Sequence, residues 1–238
     1  MEAPRITDIG PNLCGSCYPG PGDPNVYCES CFRRLAGELD GNPAPRSTGQ
    51  IVDQMFERVV PRRQHAARPS DLIAELINID PLTTPIVLTG PSGRGKSFQI
   101  AASFYRGIEF AASSGRPPVS SEFQWVTVLG VLEQIKATFG KQTDHPIVEQ
   151  LKAARMLHLE DIGTTSLVDD RKTDWAYGVL MDVIDYRHAN LRPTAATTNL
   201  TLAQLEEKVG ARIVGRLVED AVVHHLTGEQ RRAPRNAA

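Results

Sequence analysis

An α/β fold with a five-stranded parallel sheet, flanked by helices on both faces, is predicted by three observations. From residue 86 onward, short apolar runs alternate with longer segments whose apolar residues recur at helical spacing. The first run, Ile86-Val87-Leu88-Thr89, leads directly into Gly90-Pro91-Ser92-Gly93-Arg94-Gly95-Lys96-Ser97, a complete G-x-x-x-x-G-K-[ST] pattern with a helical segment behind it. A later run, Met156-Leu157-His158-Leu159, closes on the carboxylates Glu160 and Asp161, at a separation that suits a βαβαβ crossing.

Composition narrows the class. The 238 residues suffice for one well-buried domain of about 150 to 200 residues plus a small appendage. With 41% hydrophobic and 23% charged residues, wholesale disorder is excluded. A formal net charge of −2 excludes a global electrostatic grip on nucleic acid and leaves any DNA contact to local patches. No stretch approaches about 20 apolar residues, and Met1-Glu2-Ala3-Pro4-Arg5 opens no signal-peptide core, so the chain reads as cytoplasmic with no membrane partner.

All four cysteines come first, as Cys14-Gly15-Ser16-Cys17 and Cys28-Glu29-Ser30-Cys31. Two C-x-x-C knuckles at this separation form a zinc-ribbon-like pattern, each short turn offering two thiolates to one tetrahedral Zn²⁺. Two disulfides or a redox pair are the alternatives. Disulfides are disfavoured in a cytosolic chain, and a redox C-x-x-C would sit near a βαβ unit. Four thiolate ligands leave no open position, so the metal would organise a fold and not catalyse. Residues 1–39 form this module, with Phe32–Leu39 as a short closing helix, and residues 40–49 have the Pro- and Gly-rich composition of a linker.

The core is expected over residues 50–232, followed by a flexible tail at 233–238. Ile51, Val52, Met55, Phe56 and Val59 predict a helix over 50–59, and Ser70–Leu76 reads as a capped second helix. The basic stretch Arg58–Arg68 between them is read as a solvated loop, with phosphate contact as the alternative. Strands are predicted at 86–89, 124–128, 156–160, 194–198 and 222–226. Helices are predicted at 96–112, 129–139, 146–153, 173–190, 202–207 and 210–218.

The residue types at 90–97 suit a triphosphate. Glycines let the backbone curl so that successive N–H groups face the phosphates, Lys96 neutralises the outer ones, and Ser97 offers a hydroxyl to Mg²⁺. Such a loop needs a strand ending in acid: Glu160 would serve Mg²⁺ and Asp161 the attacking water, or the reverse, or the pair is a mere strand end and turn. Asn199 follows the fourth strand, where it orients water against the γ-phosphate or caps the next helix. Arg212 and Arg216 share one helix face. Either one reaches a neighbouring subunit's nucleotide, or both belong to a solvated face over buried Ile213, Val214 and Leu217.

Together the phosphate loop, Glu160-Asp161-Ile162-Gly163, Thr197-Thr198-Asn199-Leu200 and Gly210-Ala211-Arg212-Ile213-Val214-Gly215-Arg216-Leu217 resemble the AAA+ ATPases of the DnaC/DnaI helicase-loader and IstB transposition-helper group. Val126-Thr127-Val128 and the segment Leu132–Phe139 look like that group's second strand and following helix. The likeness covers residues 50–232 and implies a core without a C-terminal lid. It also implies that residues 90–97 are Walker A, Glu160 and Asp161 Walker B, Asn199 sensor 1, and Arg216 the arginine finger with Arg212 beside it. The group's usual order is Asp then Glu. The inverted pair here implies slow hydrolysis with nucleotide binding intact.

The resemblance implies an ATPase that uses ATP, Mg²⁺ and a zinc module to load the replicative DNA helicase onto single-stranded DNA. The zinc module would contact the helicase, and the core would form a homo-oligomer through Arg216. Lys136 and Lys141 are candidate DNA contacts on or near the helix after the second strand. The alternatives are an IstB-like helper that binds duplex DNA and recruits a transposase, and a zinc-dependent DNA-binding protein with a slow ATP switch. A small-molecule P-loop kinase would need a substrate lid that no segment resembles.

Overall fold

Interior strands of a parallel sheet are covered on both faces, and three segments of this chain have the composition for it: IVLT, MLHLE and TAAT. In the computed structural model, which describes residues 47–114, 118–137, 146–164 and 174–228, these are the interior strands. They are β1 (Ile86–Thr89), β3 (Met156–Glu160) and β4 (Thr194–Thr197). The edges are β2 (Phe123–Thr127) and β5 (Val222–His225). All neighbours are parallel, in the order β2-β3-β4-β1-β5. β5 alternates half-buried and exposed residues, as an edge strand should.

The helices are α1 (Thr48–Val59), the short α2 (Ala74–Ile77), α3 (Lys96–Ser113), α4 (Val128–Lys136), α5 (Pro146–Ala153), α6 (Asp174–Ala189), α7 (Leu202–Val209) and α8 (Ala211–Val218). From Val52 onward the described residues form one unit with two apolar cores, one on each face of the sheet. Ile86, Leu88, Met156 and Ala195 pack with Ile100, Phe104 and Ile108 of α3. Val87, Leu157, Leu159 and Ala196 face α4 to α8. The period of two along each strand is what divides them.

The predicted helix over Ser70–Leu76 is broken. A 3₁₀ turn at Pro69–Asp71 is separated from α2 by Leu72 and Ile73, both extended, with ψ of 136° and 161°. The cause lies on α3: the buried Gln99 side chain donates to the Asp71 carbonyl at 2.8 Å and accepts the Ile73 N–H at 2.9 Å. These contacts satisfy backbone groups that a continuous helix would have paired internally. In the basic stretch, Arg62 and Arg63 are exposed, in line with a solvated loop. Arg68 instead folds back, its guanidinium 4.9 Å above the Tyr105 ring and 3.7 Å from the Asp53 carboxylate.

At the amino end of the sheet lies a buried cation. Arg187 of α6 is fully enclosed, and donates to Thr194 Oγ1 (2.9 Å) and to the carbonyls of Leu151 (2.8 Å), Lys152 (3.3 Å), Ala154 (2.7 Å) and Pro193 (2.6 Å). It thereby caps α5 and ties it to β4. Burial, followed by the charge of Arg192, pulls the guanidinium down to about 9, so it stays charged at neutral pH.

Candidate nucleotide site

β1 runs into a loop whose backbone only glycine tolerates. Gly90 has a φ of +126°, and a Cβ there would lie 2.3 Å from the Leu226 carbonyl oxygen just past β5. Gly95, at φ +90°, precedes α3, whose first N–H groups have no intrahelical partners and face an incoming anion. Pro91 and Ser92 are exposed, while Gly93 at φ +83° and Arg94 are half-buried. Arg94 donates Nη1 to the Gly228 carbonyl, and its Nε is buried without a hydrogen-bond partner.

Lys96 is buried and curls back over the loop. Its Nζ donates to the carbonyls of Gly90 (2.6 Å) and Pro91 (2.9 Å) and to Asn199 Oδ1 at 2.8 Å. Asn199 is brought there by Thr198, whose N–H donates to the Leu88 carbonyl at 3.0 Å and whose hydroxyl donates to that of Ile162 at 2.8 Å. Asn199 does not cap α7. Thr201 does, in a reciprocal box with Gln204.

Glu160 ends β3 with both oxygens engaged. Oε1 accepts the Ser97 hydroxyl at 2.7 Å, and Oε2 accepts the Trp125 indole N–H at 3.0 Å. Beneath it, the fully buried His158 holds Nδ1 at 3.2 Å from the Ala195 carbonyl, which can only accept, so the proton sits on Nδ1. Burial lowers the His158 pKa to about 4 against the upward pull of Glu160, leaving the ring neutral at pH 7. The Nε2 of that ring has no hydrogen-bond partner.

The structure thus brings Lys96, Ser97, Glu160 and Asn199 to one point at the carboxyl ends of β1, β3 and β4. Asp161, which follows β3, has a φ of +55°, is exposed, and lines a groove with Leu129, Leu132 and Val209. Arg212 and Arg216 are held on α8 by Asp185 of α6, at 2.7 and 3.4 Å, and Arg216 also pairs with Glu219 at 3.0 Å. Lys136 is exposed in the last turn of α4. Cys14, Cys17, Cys28, Cys31 and Lys141 lie outside the described residues.

The donor set at the junction of α3 and β3 suits a magnesium ion. A hydroxyl and a carboxylate are hard oxygen ligands, and Mg²⁺ takes few protein ligands when phosphate and water supply the rest. Among the described residues no group of three or more His, Cys, Asp or Glu side chains is placed to hold a metal by itself. Trp125 is the site residue that the sequence did not announce. Its only signal was an indole donor near the end of the strand beside the acid-ending one.

No protein-family model and no curated protein matches the chain. Solved structures do. The DnaC helicase loader superposes with a TM-score of 0.56 at 18% identity, covering 70% of this chain and 100% of that one. DnaI superposes with a TM-score of 0.56 at 21% identity, covering 75% of this chain and 100% of the other. A DNA replication initiation factor gives 0.51 at 15% identity over 68% of this chain and 49% of that one. These likenesses show the fold. The described core shares with them an α/β fold, here a five-stranded parallel sheet in the order β2-β3-β4-β1-β5 flanked by helices. Among the described residues no helix is long and apolar enough to cross a membrane.

Proposed function

We propose that this chain is an ATP-dependent loader of a replicative DNA helicase onto single-stranded DNA. The observation that carries the reading is the convergence of Lys96 on Asn199 (2.8 Å) and Ser97 on Glu160 (2.7 Å), within the fold that DnaC and DnaI also have. The phosphates of ATP enter where the loop N–H groups of residues 92–97 and the Lys96 ammonium meet. Lys96 is already at the loop mouth, so binding exchanges neutral carbonyl acceptors for charged ones without a rotamer search. Ser97 and Glu160 hold Mg²⁺, which, when bound, neutralises charge on the phosphate oxygens.

Asn199 reads the outer phosphate and orients water, and Arg216 of a neighbouring protomer, with Arg212 beside it, completes the site. The ion pairs that hold Arg216 in the free chain are partly exposed and worth roughly 0.2 to 1 kcal/mol each, so a phosphate can draw it away. Asp161, a methylene shorter than the Glu usual at the second position of such a pair, is a poor base for the attacking water. Hydrolysis is accordingly slow, and ATP acts mainly as an assembly switch. Residues 1–39, with Zn²⁺ on Cys14, Cys17, Cys28 and Cys31, grip the helicase, and Lys136 faces the DNA.

The test is equilibrium binding of a fluorescent ATP analogue to the full chain, followed by capture of purified helicase. Binding that requires Lys96, with helicase retained, supports the reading. ATP-dependent binding of duplex DNA with capture of a transposase instead would assign the core to transposition.

A further inference from the structure

Trp125 lies on edge strand β2, where the register sets it opposite His158, two residues before Thr127 meets Glu160. Phe123 and Trp125 pack in the same core as α3, so the indole rises on the face from which Ser97 approaches. Its ring is gripped edge-on by His158, with centroids 4.3 Å apart, and by Phe104 of α3 at 5.4 Å. Its one polar atom, a donor only, ends 3.0 Å from Glu160 Oε2.

We infer that Trp125 is a positioning residue that makes Glu160 a one-oxygen ligand selective for Mg²⁺. The inference rests on the reading of Ser97 and Glu160 as the cation's protein ligands. With Oε2 spent on the indole, Oε1 alone is turned toward Ser97, 2.7 Å away. A carboxylate restricted to one oxygen suits the tight octahedral shell of Mg²⁺, whereas Ca²⁺ gains from two-oxygen binding. The clamp of Phe104 and His158 holds the indole in that pose, so the carboxylate plane is set before any cation arrives.

The experiment is Trp125→Phe, which keeps an aromatic ring between Phe104 and His158 and removes the donor. A fluorescent ATP analogue is titrated onto the full chain in EDTA, in Mg²⁺ and in Ca²⁺, with no turnover read. Affinity in EDTA should stay within about twofold, while the tightening caused by Mg²⁺ falls about tenfold and that caused by Ca²⁺ holds or grows. Equal loss under all three conditions, or an unchanged Mg²⁺ effect, overturns the inference.

A second measurement does not depend on that variant folding. Trp125 and Trp175 are the two tryptophans, so Trp175→Phe leaves Trp125 as the sole tryptophan, read by excitation to the red of tyrosine absorption. Adding Mg²⁺ to the nucleotide-bound protein should change its emission, and no change overturns the inference. Wild-type protein that binds no nucleotide under any condition would instead refute the phosphate site itself.

Discussion

The Lys96 ammonium stands 2.8 Å from the carboxamide oxygen of Asn199, so the first turn of α3 is joined to a residue two positions past β4 by a charge-assisted hydrogen bond. The two ends of this bond should fail differently. Lys96→Ala removes the cation that meets the phosphates and should weaken ATP binding by about 30- to 100-fold. Asn199→Ala should change ATP affinity less than about threefold while lowering single-turnover hydrolysis about tenfold or more. Equilibrium titration and rapid-quench kinetics on the same proteins separate the two.

Arg187 predicts a stability effect remote from that site. Its five hydrogen bonds go to four carbonyls and a hydroxyl. Arg187→Met fills much of the volume but strands these acceptors, for a loss of about 3 to 5 kcal/mol in urea unfolding. Arg187→Lys should recover only part of it, because a point ammonium cannot span the fork.

Tyr105 sets a pH dependence. Burial first, and then the hydrogen bond to Asp53 at 2.8 Å, push its hydroxyl up to about 12 from 10.0. An acid with a raised folded pKa keeps its proton where the unfolded chain has lost it. The folded state then binds more protons between those values, and stability falls as pH rises through them. The contribution is complete below pH 10.0. Wild-type unfolding free energy should therefore drop more steeply with pH than that of Tyr105→Phe over this alkaline window.

Arg216 should act in trans. Arg216→Ala is expected to bind ATP normally and to lose hydrolysis in the assembled state, and Lys96→Ala is expected to stay largely empty at ATP concentrations that saturate the wild type. Mixed in equal amounts, the two proteins should regain about a quarter of wild-type hydrolysis, because random neighbours pair an intact Lys96 with an intact Arg216 that often. Steady-state phosphate release from the mixture reports it.

Much of the sheet is legible in the sequence because burial on both faces forces continuous apolar runs, as at Ile86–Leu88 and Met156–Leu159. The meeting of Lys96, Ser97, Glu160 and Asn199 is legible too, since each stands at a strand end or in a loop of set spacing. What local pattern cannot show is a partner far along the chain. Gln99 breaks the helix at Leu72 and Ile73, Arg187 gathers carbonyls from the end of α5, and Trp125 reaches across to Glu160.

Loading itself is the decisive measurement. The full chain, the purified replicative helicase of the same source and circular single-stranded DNA are incubated with ATP, and DNA-bound helicase is counted. A several-fold rise is expected with the wild-type chain and none with Lys96→Ala. Helicase that neither binds the chain nor gains access to DNA with ATP present would contradict the proposed loading role.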